Sequence, residues 1–155
     1  MRQNAVRCYA DTSVFGGIAD REFMASTTKF FALVRCERLE LVTSPLVAEE
    51  ILAAPSKVRL FFEDTIADSE ILEITGEAIA LRRAYLRAGV VGPQWDADAL
   101  HVALATVAEC AVIVSWNFKH IVNFRRIPLY NAVNQAHGYR PIAIHSPLEV
   151  IADES

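Results

Sequence analysis

The sequence predicts a three-layer α/β/α domain built around a central parallel β-sheet, with residues 1–155 forming a single domain. Short apolar runs typical of strands alternate with segments of helical periodicity, which implies right-handed crossovers between parallel strands. Residues 111–115 form an uninterrupted apolar strand, as expected for a sheet that is covered on both faces. Apolar residues with the spacing of one buried helix face predict a helix in the stretch before this strand: Leu100, Ala103, Leu104, Val107 and Ala108.

The individual elements follow from apolar runs, caps and breakers. Strands are predicted at residues 5–10, 39–43, 70–74, 111–115 and 142–144. A long helix is predicted over residues 21–38, with its buried side chains at Phe23, Phe30, Phe31 and Val34. Further helices are predicted from Ser44-Pro45 to before Pro55, near 57–63, from Thr75 to about Ala88, from a cap at Asp96, and from Ser146-Pro147.

Composition excludes several classes of protein. With 53% hydrophobic and 22% charged residues, the chain can bury a full core, and disorder is not expected. No apolar run is long enough to cross a membrane, and the N-terminus lacks the pattern of a secretory signal. Cys8, Cys36 and Cys110 are widely spaced in apolar segments, which favours buried, reduced thiols in a cytoplasmic protein over disulfides or a zinc site.

A net charge of −4 counts against a nucleic-acid-binding protein, because phosphate contacts need Lys and Arg. Clustered carboxylates carry part of this charge, however, and a bound metal would offset them locally. Candidates for a local basic patch are Arg82, Arg83, Arg87, Arg125, Arg126 and Arg140. Net charge therefore does not decide whether the chain binds nucleic acid.

Four polar residues fall where the predicted elements reach the carboxyl edge of the sheet. Asp11 follows the first strand, Asn117 follows the strand at 111–115, and Glu50 and Asp98 lie near the starts of their helices. Ligands of open parallel sheets bind at this edge. Because close carboxylates repel one another unless a cation or proton intervenes, the sequence predicts a divalent-metal site here.

Each residue also has a simpler interpretation. Asp11, Thr12 and Ser13 could form only a turn, and Asp98 could only complement the dipole of its helix. A solvated helix face is an alternative for Glu50 and the better interpretation of Glu49. His101 is interpreted as a packed or supporting histidine, and Trp116 as a packing residue.

Four strings carry a resemblance to a known family. "YADTSVFGG", "TSPLVAEEI", "DADALHVALA" and "VIVSWNFKHIVN" occur in this order over nearly the whole chain. Together they resemble PIN domains, and particularly the VapC-like toxins of type II toxin–antitoxin systems. The resemblance implies a Rossmann-like α/β/α sandwich.

The resemblance also implies an activity, that of a ribonuclease dependent on Mg²⁺ or Mn²⁺. Asp11, Glu50 and Asp98 match the first three acids of the family pattern, and Asn117 stands at the fourth position, which is commonly Asp. We therefore expect Asp11 and Asp98 to hold the principal ion, with Glu50 binding through water or helping a second one. The amide at Asn117 puts affinity for a second ion in doubt.

Neighbouring residues extend this hypothesis. Thr12 and Ser13 could orient Asp11 or a metal-bound water. Lys119 or His120 could bind phosphate or neutralise developing charge, and their alternative is surface solvation. The resemblance further implies an RNA substrate, a homodimer and a small antitoxin partner, and specificity is expected in loops such as residues 89–95.

Two other functions remain open from the sequence. In a phosphatase or phosphoacceptor domain, Asp11 would be a nucleophile at a strand end, although the second Asp usual two residues later is replaced by Ser13. A non-catalytic binding module of the same fold is supported by Asn117 and by the acidic pI of about 5.5.

Overall fold

The computed structural model describes residues 5–152, and its strands form one parallel sheet in the order β3-β2-β1-β4-β5. The strands are β1 Val6–Ala10, β2 Leu39–Thr43, β3 Glu70–Ile71, β4 Val112–Val114 and β5 Ala143–His145. Within β1, Cys8 pairs with Leu41 of β2 on one side and with Val112 of β4 on the other. The predicted α/β class with a parallel sheet is confirmed.

Helices cover both faces of this sheet. They are α1 Thr12–Gly16, α2 Met24–Arg35, α3 Pro45–Ile51, α4 Ser56–Ile66, α5 Gly76–Arg87, α6 Asp96–Val107, α7 Arg126–Ala136 and α8 Pro147–Ala152. From β1 the chain moves outward to β2 and β3, and it then returns to form β4 and β5 on the other side. Right-handed crossovers place α2 to α4 on one face and α5 to α7 on the other. Accordingly, α5 packs against α6 and α7, and the last helix, α8, lies after β5 and packs against α2.

Several boundaries differ from the sequence prediction. The helix predicted over 21–38 is confined to α2, because Glu37 adopts a positive φ of 59° that ends helical geometry. Of its predicted buried residues, Phe30 and Phe31 are buried, and Phe23 and Val34 are partly buried. The strand predicted at 70–74 is reduced to the two exposed residues of β3, and the one predicted at 142–144 is β5, shifted by one residue.

Two helices were not predicted. The α1 helix occupies a stretch that could be interpreted from the sequence as a turn. The α7 helix follows β4 and lacks an apolar pattern from which it could be predicted. Pro128 lies in the first turn of α7, where a missing N–H breaks no helical hydrogen bond. Both helices are therefore findings of the structure that the sequence pattern did not supply.

Two residue-level predictions are wrong. The cap of α6 is Trp95 and not Asp96, which is the first helical residue and forms an ion pair with Arg82 at 3.8 Å. Cys36 is exposed at the end of α2, whereas Cys8 and Cys110 are buried as predicted. Burial raises the pKa of the Cys110 thiol to about 11, so that thiol stays protonated. No helix within residues 5–152 combines the length and apolarity needed to cross a bilayer.

Candidate functional site

Asp11 lies at the centre of the carboxyl edge. It follows β1 directly, its backbone N–H donates to Val114 O of β4 at 3.2 Å, and its side chain is almost completely buried, with the residue only 4% exposed. The Ser13 hydroxyl donates to Asp11 Oδ1 at 2.5 Å, and the Ser115 hydroxyl donates to Oδ2 at 2.6 Å. Both carboxylate oxygens therefore face neutral donors.

The two serine hydroxyls are themselves oriented by the backbone after β4. Trp116 N donates to Ser13 Oγ at 2.8 Å, and Asn117 N donates to Ser115 Oγ at 2.9 Å. Since each hydroxyl accepts a backbone N–H, its single proton is available for Asp11. Ser115 was not singled out from the sequence, where its only signal is a hydroxyl at the end of an apolar strand.

Burial is the largest influence on Asp11 and raises the pKa of its carboxyl group above the usual range. The nearby His101 and the hydrogen bonds from Ser115 and Ser13 act in the opposite direction but do not cancel it. Among residues 5–152, no Lys, Arg or His forms an ion pair with Asp11. Within these residues, Asp11 is thus a buried carboxylate that no side-chain cation pairs with directly.

Glu50 is the second acid, and it is carried by α3, whose N-cap Ser44 and following Pro45 set the start of the helix. Its Oε1 accepts hydrogen bonds from Thr12 Oγ1 at 2.5 Å and from His101 Nε2 at 2.7 Å. Thr12 therefore contacts Glu50 and not Asp11. Burial opposes ionisation of Glu50, yet the hydrogen bonds from His101 and Thr12 lower its pKa.

His101 connects Glu50 to the interior of the domain. It is buried on α6, and its Nδ1 lies 2.8 Å from the Tyr9 hydroxyl, which in turn lies 2.8 Å from Ser44 Oγ. The interpretation of His101 as a supporting residue agrees with these contacts. Tyr9 was not singled out from the sequence, because it reads as one apolar member of β1.

Asp98 is the third acid and lies in the first turn of α6. Its Oδ2 is 3.1 Å from His120 Nδ1, and the His120 ring stacks on Trp95 at a centroid distance of 4.2 Å. His120 is buried, so surface solvation is the wrong interpretation for it, whereas Lys119 is exposed. Trp116 is also buried and stacks on Phe23, in agreement with its interpretation as packing.

Asn117 has a structural role that the sequence did not reveal. Its Oδ1 accepts hydrogen bonds from the backbone N–H groups of Lys119 at 3.2 Å and His120 at 2.9 Å. This oxygen closes the turn after β4 and presents His120 toward Asp98. A carboxylate at this position could accept the same two hydrogen bonds and would also add negative charge.

This geometry predicts opposite results for two substitutions of Asn117. Asn117→Ala removes the turn-closing acceptor and should lower the free energy of unfolding by about 1 kcal/mol. Asn117→Asp should preserve stability within about 0.5 kcal/mol and bind Mn²⁺ more tightly than the wild type. Urea unfolding and Mn²⁺ titration calorimetry measure both effects. Equal stability of the alanine variant, or unchanged Mn²⁺ affinity of the aspartate variant, would contradict this account.

Asp11, Glu50 and Asp98 offer carboxylate oxygens, the kind of ligand that suits the hard cation Mg²⁺. Within residues 5–152 no three His, Cys, Asp or Glu side chains are grouped closely enough to hold one ion together. Mg²⁺, however, keeps several waters and is commonly held by one or two carboxylates. The uncompensated charge of buried Asp11 is the feature that such an ion would neutralise.

Comparison with known proteins places the chain by its fold. No protein-family model matches the sequence, and no curated protein matches it either. One similar solved structure is VapBC2 from Rickettsia felis bound to a DNA fragment from their promoter, with a TM-score of 0.61 and 13% identity over 91% of this chain and 98% of the matched chain. FitAcB from Neisseria gonorrhoeae is similar too, with a TM-score of 0.57 and 13% identity over the same shares. At this identity the likeness concerns the fold.

Proposed function

We propose that this protein is a metal-dependent endoribonuclease that hydrolyses RNA phosphodiester bonds and is the toxin of a toxin–antitoxin pair. The observation that carries the proposal is the buried, uncompensated carboxylate of Asp11 at the carboxyl edge of a parallel sheet. Its two oxygens are oriented by hydroxyl groups and not neutralised by a base, which is the arrangement expected of a metal ligand.

The residues of the site have distinct roles in this proposal. Asp11 and Asp98 would hold Mg²⁺ or Mn²⁺, and Glu50 would bind it through water or assist a second ion. When bound, the ion would polarise the scissile phosphate and supply a hydroxide nucleophile near neutral pH. Ser13 and Ser115 hold Asp11 in a single orientation, and His120 holds Asp98. Exposed Lys119 follows the turn after β4, from which its ammonium group could bind an RNA phosphate.

The partner and the cellular setting belong to the same proposal. The two similar structures are of VapBC2 and FitAcB, and the resemblance of the four sequence strings is to VapC-like toxins. From this likeness we expect three further properties: a small antitoxin that covers the acidic edge, a homodimeric protein and a cytoplasmic RNA substrate. Co-expression with the neighbouring gene product, followed by purification of a complex, tests the antitoxin.

The phosphoacceptor alternative is less well supported by the residues present. Asp11 would be the nucleophile, but the second Asp usual two residues later is replaced by Ser13, whose hydroxyl donates to Asp11 Oδ1. A phosphoaspartate formed with a phosphodonor would favour that function instead.

A matched pair of substitutions in α6 tests the proposed nuclease. Asp98→Asn should lower Mg²⁺-dependent cleavage of a labelled RNA of mixed sequence by at least about 10²-fold, because it removes a direct ligand. Asp96→Asn, two residues earlier in the same helical turn, should change the rate by less than about threefold, since its exposed ion pair with Arg82 contributes little.

The assay needs protein from a strain lacking the major ribonucleases, and chelated samples as blanks. Wild-type cleavage that persists unchanged in Asp98→Asn would overturn the proposal. No cleavage with either Mg²⁺ or Mn²⁺ would favour the non-catalytic binding module.

A further inference from the structure

A chain of buried hydrogen bonds leads from the core of the domain to Glu50. It joins Ser44 at the start of α3, Tyr9 in β1, His101 in α6 and Glu50 in α3, with successive distances of 2.8, 2.8 and 2.7 Å. Ser44, Tyr9 and His101 are each at most 2% exposed. Packing alone does not require polar side chains here, because apolar residues of similar size would avoid the cost of burying polar groups.

The donors and acceptors of this chain run in one direction. Ser44 Oγ accepts the N–H of Val47 as the helix cap, at 3.5 Å, and its own proton can be donated to the Tyr9 oxygen, 2.8 Å away. The Tyr9 hydroxyl carries one proton and lies 2.8 Å from His101 Nδ1, to which it can donate. The Glu50 carboxylate can only accept, so His101 Nε2 carries the proton between them, and in a neutral ring Nδ1 is then the acceptor for the Tyr9 hydroxyl.

This direction determines which oxygen of Glu50 remains available. In the part of the chain that the structure describes, the hydrogen bonds from His101 and Thr12 both fall on Oε1. Two donors on one oxygen fix the rotation of the carboxylate and leave Oε2 for an ion or a metal-bound water. His101 and Thr12 together therefore determine where that oxygen lies.

We propose that His101 is a positioning residue that orients Glu50 for divalent-cation binding, and that Tyr9 fixes the required Nε2–H tautomer of its ring. The inference rests on the proposed function, since it assigns Glu50 to the metal site. In a purely structural role, His101 would affect only stability. In the role proposed here, metal affinity also depends on the hydrogen bond between Tyr9 and His101, although neither residue binds the ion.

Tyr9→Phe is the sharpest test, because it deletes one hydroxyl and keeps the ring. We expect NMR of the His101 ring nitrogens to show a protonated Nε2 and an unprotonated Nδ1 in the wild type, and a mixture of tautomers in Tyr9→Phe. Mn²⁺ affinity measured by calorimetry should weaken by about 10- to 100-fold, as for other residues that support metal ligands. Tyr85→Phe is the matched control, since Tyr85 also donates a buried hydrogen bond, to Asn134, but lies outside the site.

Two substitutions of His101 complete the test. His101→Leu should weaken Mn²⁺ binding at least as much as Tyr9→Phe, and His101→Gln, whose amide N–H can replace the Nε2 donor, should recover most of the affinity. Wild-type Mn²⁺ affinity in folded Tyr9→Phe or His101→Leu would overturn the inference, and so would an Nδ1–H tautomer in the wild type.

The outcomes separate this inference from the proposed function. If the wild type binds Mn²⁺ through Glu50 and weakens as described but cleaves no RNA, the nuclease proposal fails and the positioning role stands. If the wild type binds no Mn²⁺, both are overturned.

Discussion

Replacing Asp11 with asparagine is expected to lower Mg²⁺-dependent RNA cleavage by at least about 10²-fold, a loss as large as that expected of Asp98→Asn. The substitution keeps the size of a side chain that is only 4% exposed and removes its charge. Asp64→Asn, at an exposed position on α4, is the control for loss of one negative charge and should retain wild-type cleavage. An Asp11→Asn protein that cleaves at the wild-type rate would remove Asp11 from the mechanism.

The stability of Asp11→Asn should also depend on pH differently from that of the wild type. Burial raises the pKa of Asp11 in the folded protein, so ionising the carboxyl group costs folding free energy as the pH rises through that pKa. Below the pKa of the unfolded chain both states are protonated and the cost is absent. The free energy of unfolding of Asp11→Asn relative to the wild type should therefore rise with pH in metal-free buffer.

Added metal should reverse this comparison. A ligand at 100 times its dissociation constant stabilises the folded state by about 2.7 kcal/mol, and we expect Mg²⁺ to give this gain to the wild type and not to Asp11→Asn. Urea unfolding at several pH values, with and without Mg²⁺, measures both effects. A difference in stability that does not change with pH, or an equal gain from Mg²⁺ in both proteins, would contradict the description of Asp11 as a buried metal ligand.

The largest expected loss of stability comes from Phe15→Ala. Phe15 is fully buried on α1, and its ring packs against Phe31 and Phe62 at centroid distances of 5.3 and 4.9 Å. Truncation leaves a cavity among these rings and should lower the free energy of unfolding by about 3–5 kcal/mol. Since α1 also carries Thr12 and Ser13, the hydroxyl groups that contact Glu50 and Asp11 should lose their fixed placement.

Phe124→Ala is the matched control for this substitution. Phe124 is 93% exposed in the segment before α7, and its removal should change the free energy of unfolding by less than about 0.5 kcal/mol. Urea unfolding of the two variants gives the comparison directly. A loss of less than about 1 kcal/mol in Phe15→Ala would show that α1 does not depend on this packing.

The sequence predicted an element correctly where the pattern of neighbouring residues is itself the reason that the element forms. The apolar run around β4 and the periodicity of α6 are local patterns, and both predicted the right element. The position of Asp11 after β1 was equally predictable, because a polar residue at the end of a buried strand must lie at the sheet edge. By contrast, α7 lacks a strong apolar stripe, and it is stabilised by packing against α5 and by hydrogen bonds such as that from the Tyr130 hydroxyl to His120 O.

The acids themselves were predicted as residues, but their partners were not. Ser115 contacts Asp11 across 104 positions of the chain, and His101 contacts Glu50 across 51. Such contacts depend on the order of strands in the sheet, with β4 inserted beside β1, and no local pattern encodes that order. For the same reason the capping role of Asn117 and the burial of His120 became apparent only in the folded chain.

By itself, then, the sequence determined a parallel α/β domain and the acids that end its central elements, because hydrophobic periodicity and strand ends are properties of neighbouring residues. Only the tertiary structure decided that Asp11 is buried between two serine hydroxyls and that Tyr9 and His101 support Glu50. These are contacts between distant segments, and their geometry is fixed when the helices pack onto the completed sheet.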